Sequence, residues 1–324
     1  MTKGSLKRAA AVAVSAGILA AVWRSIDRAE LLRTLANAHL GWFAAAMLLF
    51  LPPKLFQAWR WRSMARTFCP VTTGEALRLI LAGDALNLVM PSKLGDLSRA
   101  VFLRSQGRLP LAHGLNLVAY EKMLDLSALC LLLVVGVLAI GRFDAVGLAG
   151  LLGAGAVLGL TTAVSVSPFV ASGLWRRMLA AGGRPGLRGR AARLLAGTGE
   201  VVGDLVRRGA GLSWIVGLSL AIWALHFLQI YCFFLALRLP TPLFVAMALA
   251  PIAIFFGLAP LTIGGLGTRD AAFVLLFNEY HSAAAMAGVA LLSHLRYIIP
   301  GLAGLPFFGG YLREIRLAQA GKRG

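Results

Sequence analysis

Long apolar runs separated by short polar clusters fill most of the chain. The runs from Ala9 to Trp23, about Leu40 to Trp59, His113 to Ile140, Ala145 to Val170, Leu212 to Leu237 and Ala283 to Tyr311 predict six membrane-spanning helices. Two further segments are interrupted. A helix predicted from Thr72 to Val89 stops at Pro91-Ser-Lys-Leu-Gly-Asp-Leu-Ser-Arg99, and a short helix from Asp96 to Arg104 follows. A second segment begins at Thr241-Pro242, reaches Pro260-Leu-Thr-Ile-Gly-Gly-Leu-Gly-Thr-Arg-Asp270 and resumes as a helix from Thr268 to Phe277. Both breaks combine a proline and glycine with a carboxylate and an arginine.

Backbone broken at membrane depth is tolerated only where protein or a water-filled cavity receives it, so each interrupted segment is expected to be a re-entrant hairpin. The expected fold is all-α and polytopic, with six full transmembrane helices and two re-entrant helical hairpins. Residues 1–144 and 145–324 would each supply three spans and one hairpin. An odd number of crossings inverts the second half relative to the first, giving an inverted repeat. A plain eight-helix bundle is the competing count.

Composition agrees with the pattern: 59% of the 324 residues are hydrophobic, 14% are charged and mean hydropathy is +0.78, which excludes an ordinary soluble domain. The net charge of +19 lies in clusters between apolar runs, without the interleaved aromatics of a nucleic-acid groove. Those clusters set topology. Lys3, Lys7 and Arg8 before the first run, and Arg313, Arg316, Lys322 and Arg323 after the last, predict cytoplasmic termini. Residues 172–211, rich in arginine and broken at Gly182-Gly183 and Pro185-Gly186, are expected to form a flexible cytoplasmic connector able to meet anionic headgroups. Trp59, Arg60, Trp61 and Arg62 read as a cytoplasmic interface, with Lys54 snorkelling toward it.

Catalytic and metal signatures are absent from the sequence. The three cysteines and five histidines lack ligand spacing, and there is no phosphate-binding GxxxxGK[ST] loop and no GxSxG. The expectation is a non-enzyme without cofactor or metal.

Chemistry is concentrated at the two breaks. A helix starting within the membrane presents unpaired N–H groups and a positive dipole end to an anion. Gly95 and Gly267 precede such starts, with Gly264 and Gly265 beside the second, and Arg99 and Arg269 occupy the first turns. Asp96 and Asp270 stand next to them, while Glu121 and Asp125 share one face of the third span. Each Asp or Arg at the centre of a span costs about 2.5–3.5 kcal/mol, so four exposed to lipid would cost roughly 10 kcal/mol. They therefore pair with one another, hold the hairpins together, or line a polar cavity.

Three stretches in order, Asn87 to Arg99, Glu121-Lys-Met-Leu-Asp125 and Pro260 to Asp270, resemble the motifs of the flippase-like transmembrane domain of lysylphosphatidylglycerol synthases. The resemblance covers nearly the whole chain. That family usually carries Glu where this chain has Asp96 and Asp270, which keeps the charge and shortens its reach. The resemblance implies a stand-alone lipid-translocating part without the soluble aminoacyl-transferase domain.

The expected function is a lipid transporter of the bacterial inner membrane. It would move a phospholipid or polyprenyl-type lipid, with an anionic headgroup, between leaflets. Arg99, Arg269, Arg296 and Lys93 are the candidate headgroup contacts; Asp96, Glu121, Asp125 and Asp270 are the candidates for orienting those cations or carrying protons. The expected partner is the lipid itself, with no nucleic acid, and with room for a homo-oligomer or an envelope-enzyme partner. A lipid-headgroup transferase and a non-transporting assembly partner are the rival readings.

Overall fold

The computed structural model describes residues 26–88, 90–166, 186–209, 211–258 and 267–320, with Gly17 and Arg24. The first predicted run falls almost wholly outside these, as do Gly264 and Gly265. Among the described residues every regular element is helical. Five helices are long and apolar enough to cross a membrane: Leu40–Ala65, Leu111–Ile140, Ala145–Val166, Leu212–Ala236 and Ala283–Arg313.

Helix α1 (Arg28–Ala36) starts at Asp27, whose carboxylate accepts from the Ala29 and Glu30 amides at 2.8 and 3.2 Å. Helices α2 (Leu40–Leu48) and α3 (Leu51–Ala65) form one span with a break at Leu49-Phe50. Pro52 and Pro53 sit in the first turn of α3, where an N–H has no helical acceptor to lose. The sequence placed the end of this span at Trp59; the helix instead runs six residues further and carries Arg60 into the interior.

Helix α4 (Thr73–Asn87) is capped by the Thr72 hydroxyl and gives way to a 3₁₀ helix, Pro91–Leu97, then to α5 (Ser98–Ser105). Helices α6 (Leu111–Ile140) and α7 (Ala145–Val166) follow as predicted. The expected flexible connector is corrected in part: residues 187–207 form a regular helix, α8 (Leu187–Arg207). Its apolar face, with Val201, Val202 and Leu205, is buried in the core shared with α6, and Arg190 stays exposed. The second half contains α9 (Leu212–Ala236), α10 (Leu243–Leu258), α11 (Thr268–Leu276) and α12 (Ala283–Ala320).

Helices distant in sequence interleave. Helix α4 packs on α12 and α10 packs on α6; α5 packs on α6 and α11 on α12; α3 packs on α9. Interchanging α3 with α9, α4 with α10, α5 with α11 and α6 with α12 reproduces the same pairings. Both long crossings depend on glycine. A Cβ at Gly136 of α6 would lie 2.3 Å from the Ala248 amide nitrogen of α10, and one at Gly304 of α12 would lie 1.8 Å from the Leu81 carbonyl of α4.

Large apolar side chains cover the outside, among them Leu152 at 77% and Leu275 at 69% exposure, as expected of a surface solvated by lipid. Helix α7 lies at the periphery, with Gly153, Gly155 and Gly159 facing open space, so its small residues do not all serve close helix packing. An apolar groove of about 530 Å³ runs beside it, lined by residues including Gly150, Gly153, Ile252, Phe255 and Leu276.

Candidate functional site

A ladder of ion pairs links α3, α4, α5 and α6 at the centre of the molecule. Arg60 on α3 is fully buried and donates from Nη2 to Glu121 Oε1 and from Nη1 to Asp125 Oδ1, both at 2.7 Å, and to the Ser219 hydroxyl of α9 at 2.8 Å. The second oxygen of Glu121 lies 2.8 Å from Arg99 Nη1 of α5, so one carboxylate spans two guanidiniums. Arg99 in turn lies over the Trp61 ring, 4.5 Å from its centroid.

The ladder continues outward. Lys122 reaches Asp96 at 2.5 Å and Asp125 at 3.4 Å, and Asp96 also accepts from the Asn87 side chain at 2.9 Å. Lys54 donates to Asp84 at 2.6 Å and to Gln57 at 3.2 Å. Lys54, Arg60, Arg99 and Lys122 thus face Asp84, Asp96, Glu121 and Asp125, and the ladder is neutral.

These side chains form one wall of a polar cavity of about 100 Å³, closed on the other side by Trp223 and His226 of α9 and by Arg296 and Tyr297 of α12. Arg296 is 8% exposed. Its Nε donates to the Gln229 side chain at 3.1 Å, and Gln229 is fixed by donating to the Ala46 carbonyl at 2.8 Å. Its charged neighbour is Arg269; among the described residues no carboxylate lies within ion-pair distance of it.

The second break is built differently. Gly267 has φ +92°, a conformation favourable to glycine, and its amide donates to Asp270 Oδ2 at 2.9 Å. Asp270 therefore caps its own helix. Arg269 is buried, lies over the Tyr297 ring at 4.9 Å and donates to His294 Nδ1 at 2.5 Å, while His294 Nε2 sits 3.0 Å from Asp270 Oδ1.

Of the residues singled out from the sequence, Asp96, Arg99, Glu121, Asp125 and Arg296 line the one cavity. Arg269 and Asp270 form a second cluster, joined to the cavity through Tyr297. Gly95 is required for packing: a Cβ there would lie 2.5 Å from the Gly83 carbonyl, so its glycine brings the break against α4. The Lys93 side chain, like Gly264 and Gly265, lies outside the described residues. Reading from sequence missed Arg60, Lys54 and Lys122 as members of the ladder and His294 as the bridge of the second cluster. Lys54 does not snorkel; it is 9% exposed and pairs with Asp84.

The profile described as "Lysylphosphatidylglycerol synthase TM region" matches residues 8–304. The chain belongs to this family. A UPF0104 membrane protein of Methanothermobacter thermautotrophicus is 29% identical over 108 residues, which is 32% of this chain and 32% of that relative. The matched stretch thus spans about a third of that protein's length. Family membership and the apolar helices together make this a multi-pass membrane protein, and the family ties it to a membrane lipid-related role.

Proposed function

We propose that the protein moves a lipid with an anionic headgroup, a phospholipid or a polyprenyl phosphate, between the leaflets of the membrane. The single observation that carries this reading is Arg296. The ladder beside it is balanced, whereas Arg296 adds a buried positive charge to the cavity wall without a carboxylate partner among the described residues. An unpaired charge in a low-dielectric interior costs several kcal/mol, and an entering phosphate would offset that cost. Tails would remain in the surrounding lipid.

The inverted-repeat reading belongs to the same proposal. It is supported by the interchange of helix pairings between the halves. Helices α4 and α10, of 15 and 16 residues, extend about 22–24 Å and fall short of a hydrocarbon core about 30 Å thick, as re-entrant hairpins would. A cavity of about 100 Å³ holds a few waters, so a headgroup would pass by rocking of the interleaved halves. Cytoplasmic termini and a bacterial inner-membrane location complete this reading.

The test is exchange of fluorescent lipids between leaflets of proteoliposomes, comparing phosphatidylglycerol, phosphatidylcholine and a polyprenyl phosphate. Exchange confined to anionic headgroups, and lost in a folded Arg296→Gln variant, is the expected result. Equal rates for all headgroups, or exchange unaffected by the substitution, would sink the reading.

A further inference from the structure

The geometry around His294 fixes its chemical state. Arg269 Nη2 approaches Nδ1 at 2.5 Å, and a guanidinium has only protons to give. Nδ1 must then be the acceptor and carry no proton. The ring proton is on Nε2, which lies 3.0 and 3.2 Å from the two oxygens of Asp270. As drawn by its neighbours, the imidazole is neutral and wedged between a cation and an anion.

We propose that His294 is a proton-binding site whose occupancy decides whether Arg269 is held back or released toward the cavity. A proton taken from water can attach only at Nδ1, the atom that receives Arg269. Once there, it removes the acceptor and sets an imidazolium against a guanidinium. Asp270 is already against Nε2, while its distance from the Arg269 Nε is 3.9 Å, so the new charge pair forms between His294 and Asp270. Arg269 then loses its acceptor on His294 and keeps its stacking on Tyr297, whose ring lines the cavity beside Arg296.

The surroundings set the electrostatic consequence. Helix α12 packs here against α11, α4, α9 and α5. From α11 come Arg269 and Asp270, and from α12 itself Arg296 and Tyr297. Asp84 on α4, His226 on α9 and Arg99 on α5 line the cavity, and the first and last of these belong to the neutral ladder. A proton on His294 therefore adds a positive charge next to a cavity that already holds an unbalanced one. By linkage, an anion in the cavity and a proton on His294 strengthen each other's binding. This coupling rests on the transport reading; the protonation site does not. It also differs from a carboxylate carrier, since Glu121 and Asp125 are each clamped by Arg60.

The test has two independent readouts. In ¹⁵N NMR of histidine-labelled full-length protein in nanodiscs, the resonance lost in His294→Gln should show the Nε2–H neutral form in alkaline buffer. It should convert to the doubly protonated form on acidification. Gln can accept from Arg269 and donate to Asp270; if it fails to fold, His294→Asn identifies the resonance instead. In proteoliposomes, leaflet exchange of phosphatidylglycerol should change several-fold over the same interval in wild type and stay flat in the variant. A ring that keeps one form throughout, or starts as the Nδ1–H tautomer, overturns the proposal even if lipid moves. A titrating ring without any lipid exchange supports the proton site and fails the transport reading.

Discussion

Arg60 of α3 and Glu121 of α6 meet at 2.7 Å with side chains only 1% and 3% accessible, 61 residues apart in sequence. The pair ties α3 to the long helix α6. Removing one partner strands the other charge, which typically costs about 3–5 kcal/mol. Arg60→Ala and Glu121→Ala should each collapse stability in detergent. The double substitution Arg60→Met with Glu121→Leu should be much milder than the sum. Denaturant titration read by tryptophan fluorescence decides it; additive losses would mean that the ladder is not a unit.

Arg296 predicts the opposite trade. Its charge is buried without a carboxylate partner among the described residues, so Arg296→Met should leave the unfolding midpoint unchanged or raise it while abolishing anion-dependent lipid exchange. A marked fall in the midpoint would instead assign Arg296 to the scaffold.

The glycine crossings predict strong site dependence. A Cβ at Gly304 would meet the Leu81 carbonyl at 1.8 Å, whereas nothing lies within 4 Å of one at Gly155. Gly304→Ala should therefore destabilise by about 1–3 kcal/mol or more, as overpacking does, and Gly155→Ala should be tolerated. Thermal unfolding of the two purified variants makes the comparison, and equal effects would remove the close crossing of α4 and α12.

Outside the spans, burial holds His281 below its ordinary value; its Nε2 lies 2.7 Å from the Thr241 hydroxyl. A histidine whose folded value is depressed contributes stability fully above the unfolded value of about 6.5. That stability declines as pH falls through 6.5 or so and levels off below the folded value, where both states are protonated. Midpoints of wild type should thus fall between about pH 7 and pH 5 more than those of His281→Gln. Parallel profiles would refute the assignment.

The breaks were legible because proline, glycine and charge together have no place in a lipid-exposed helix. Glu121 and Asp125 were legible because a spacing of four puts them on one face. Arg60 was not, since Trp59, Trp61 and Arg62 around it have the composition of a membrane interface. Arg62 indeed remains exposed, and only the register of α3 against α6 separates the two arginines. His294 was hidden for a related reason: a lone histidine in an apolar helix acquires meaning only when α11 brings Arg269 and Asp270 to its two nitrogens.

The groove beside α7 shows where the protein stops being its own container. Its walls are almost entirely hydrocarbon, so water entering it finds nothing to bond, and no described side chain fills it. Helix α7 has 22 residues and rises about 33 Å, close to the thickness of the bilayer's oily interior. Surrounding lipids therefore act as the missing side of this helix. In that sense the membrane is a subunit of the protein, one whose thickness and composition set how firmly this peripheral helix is held.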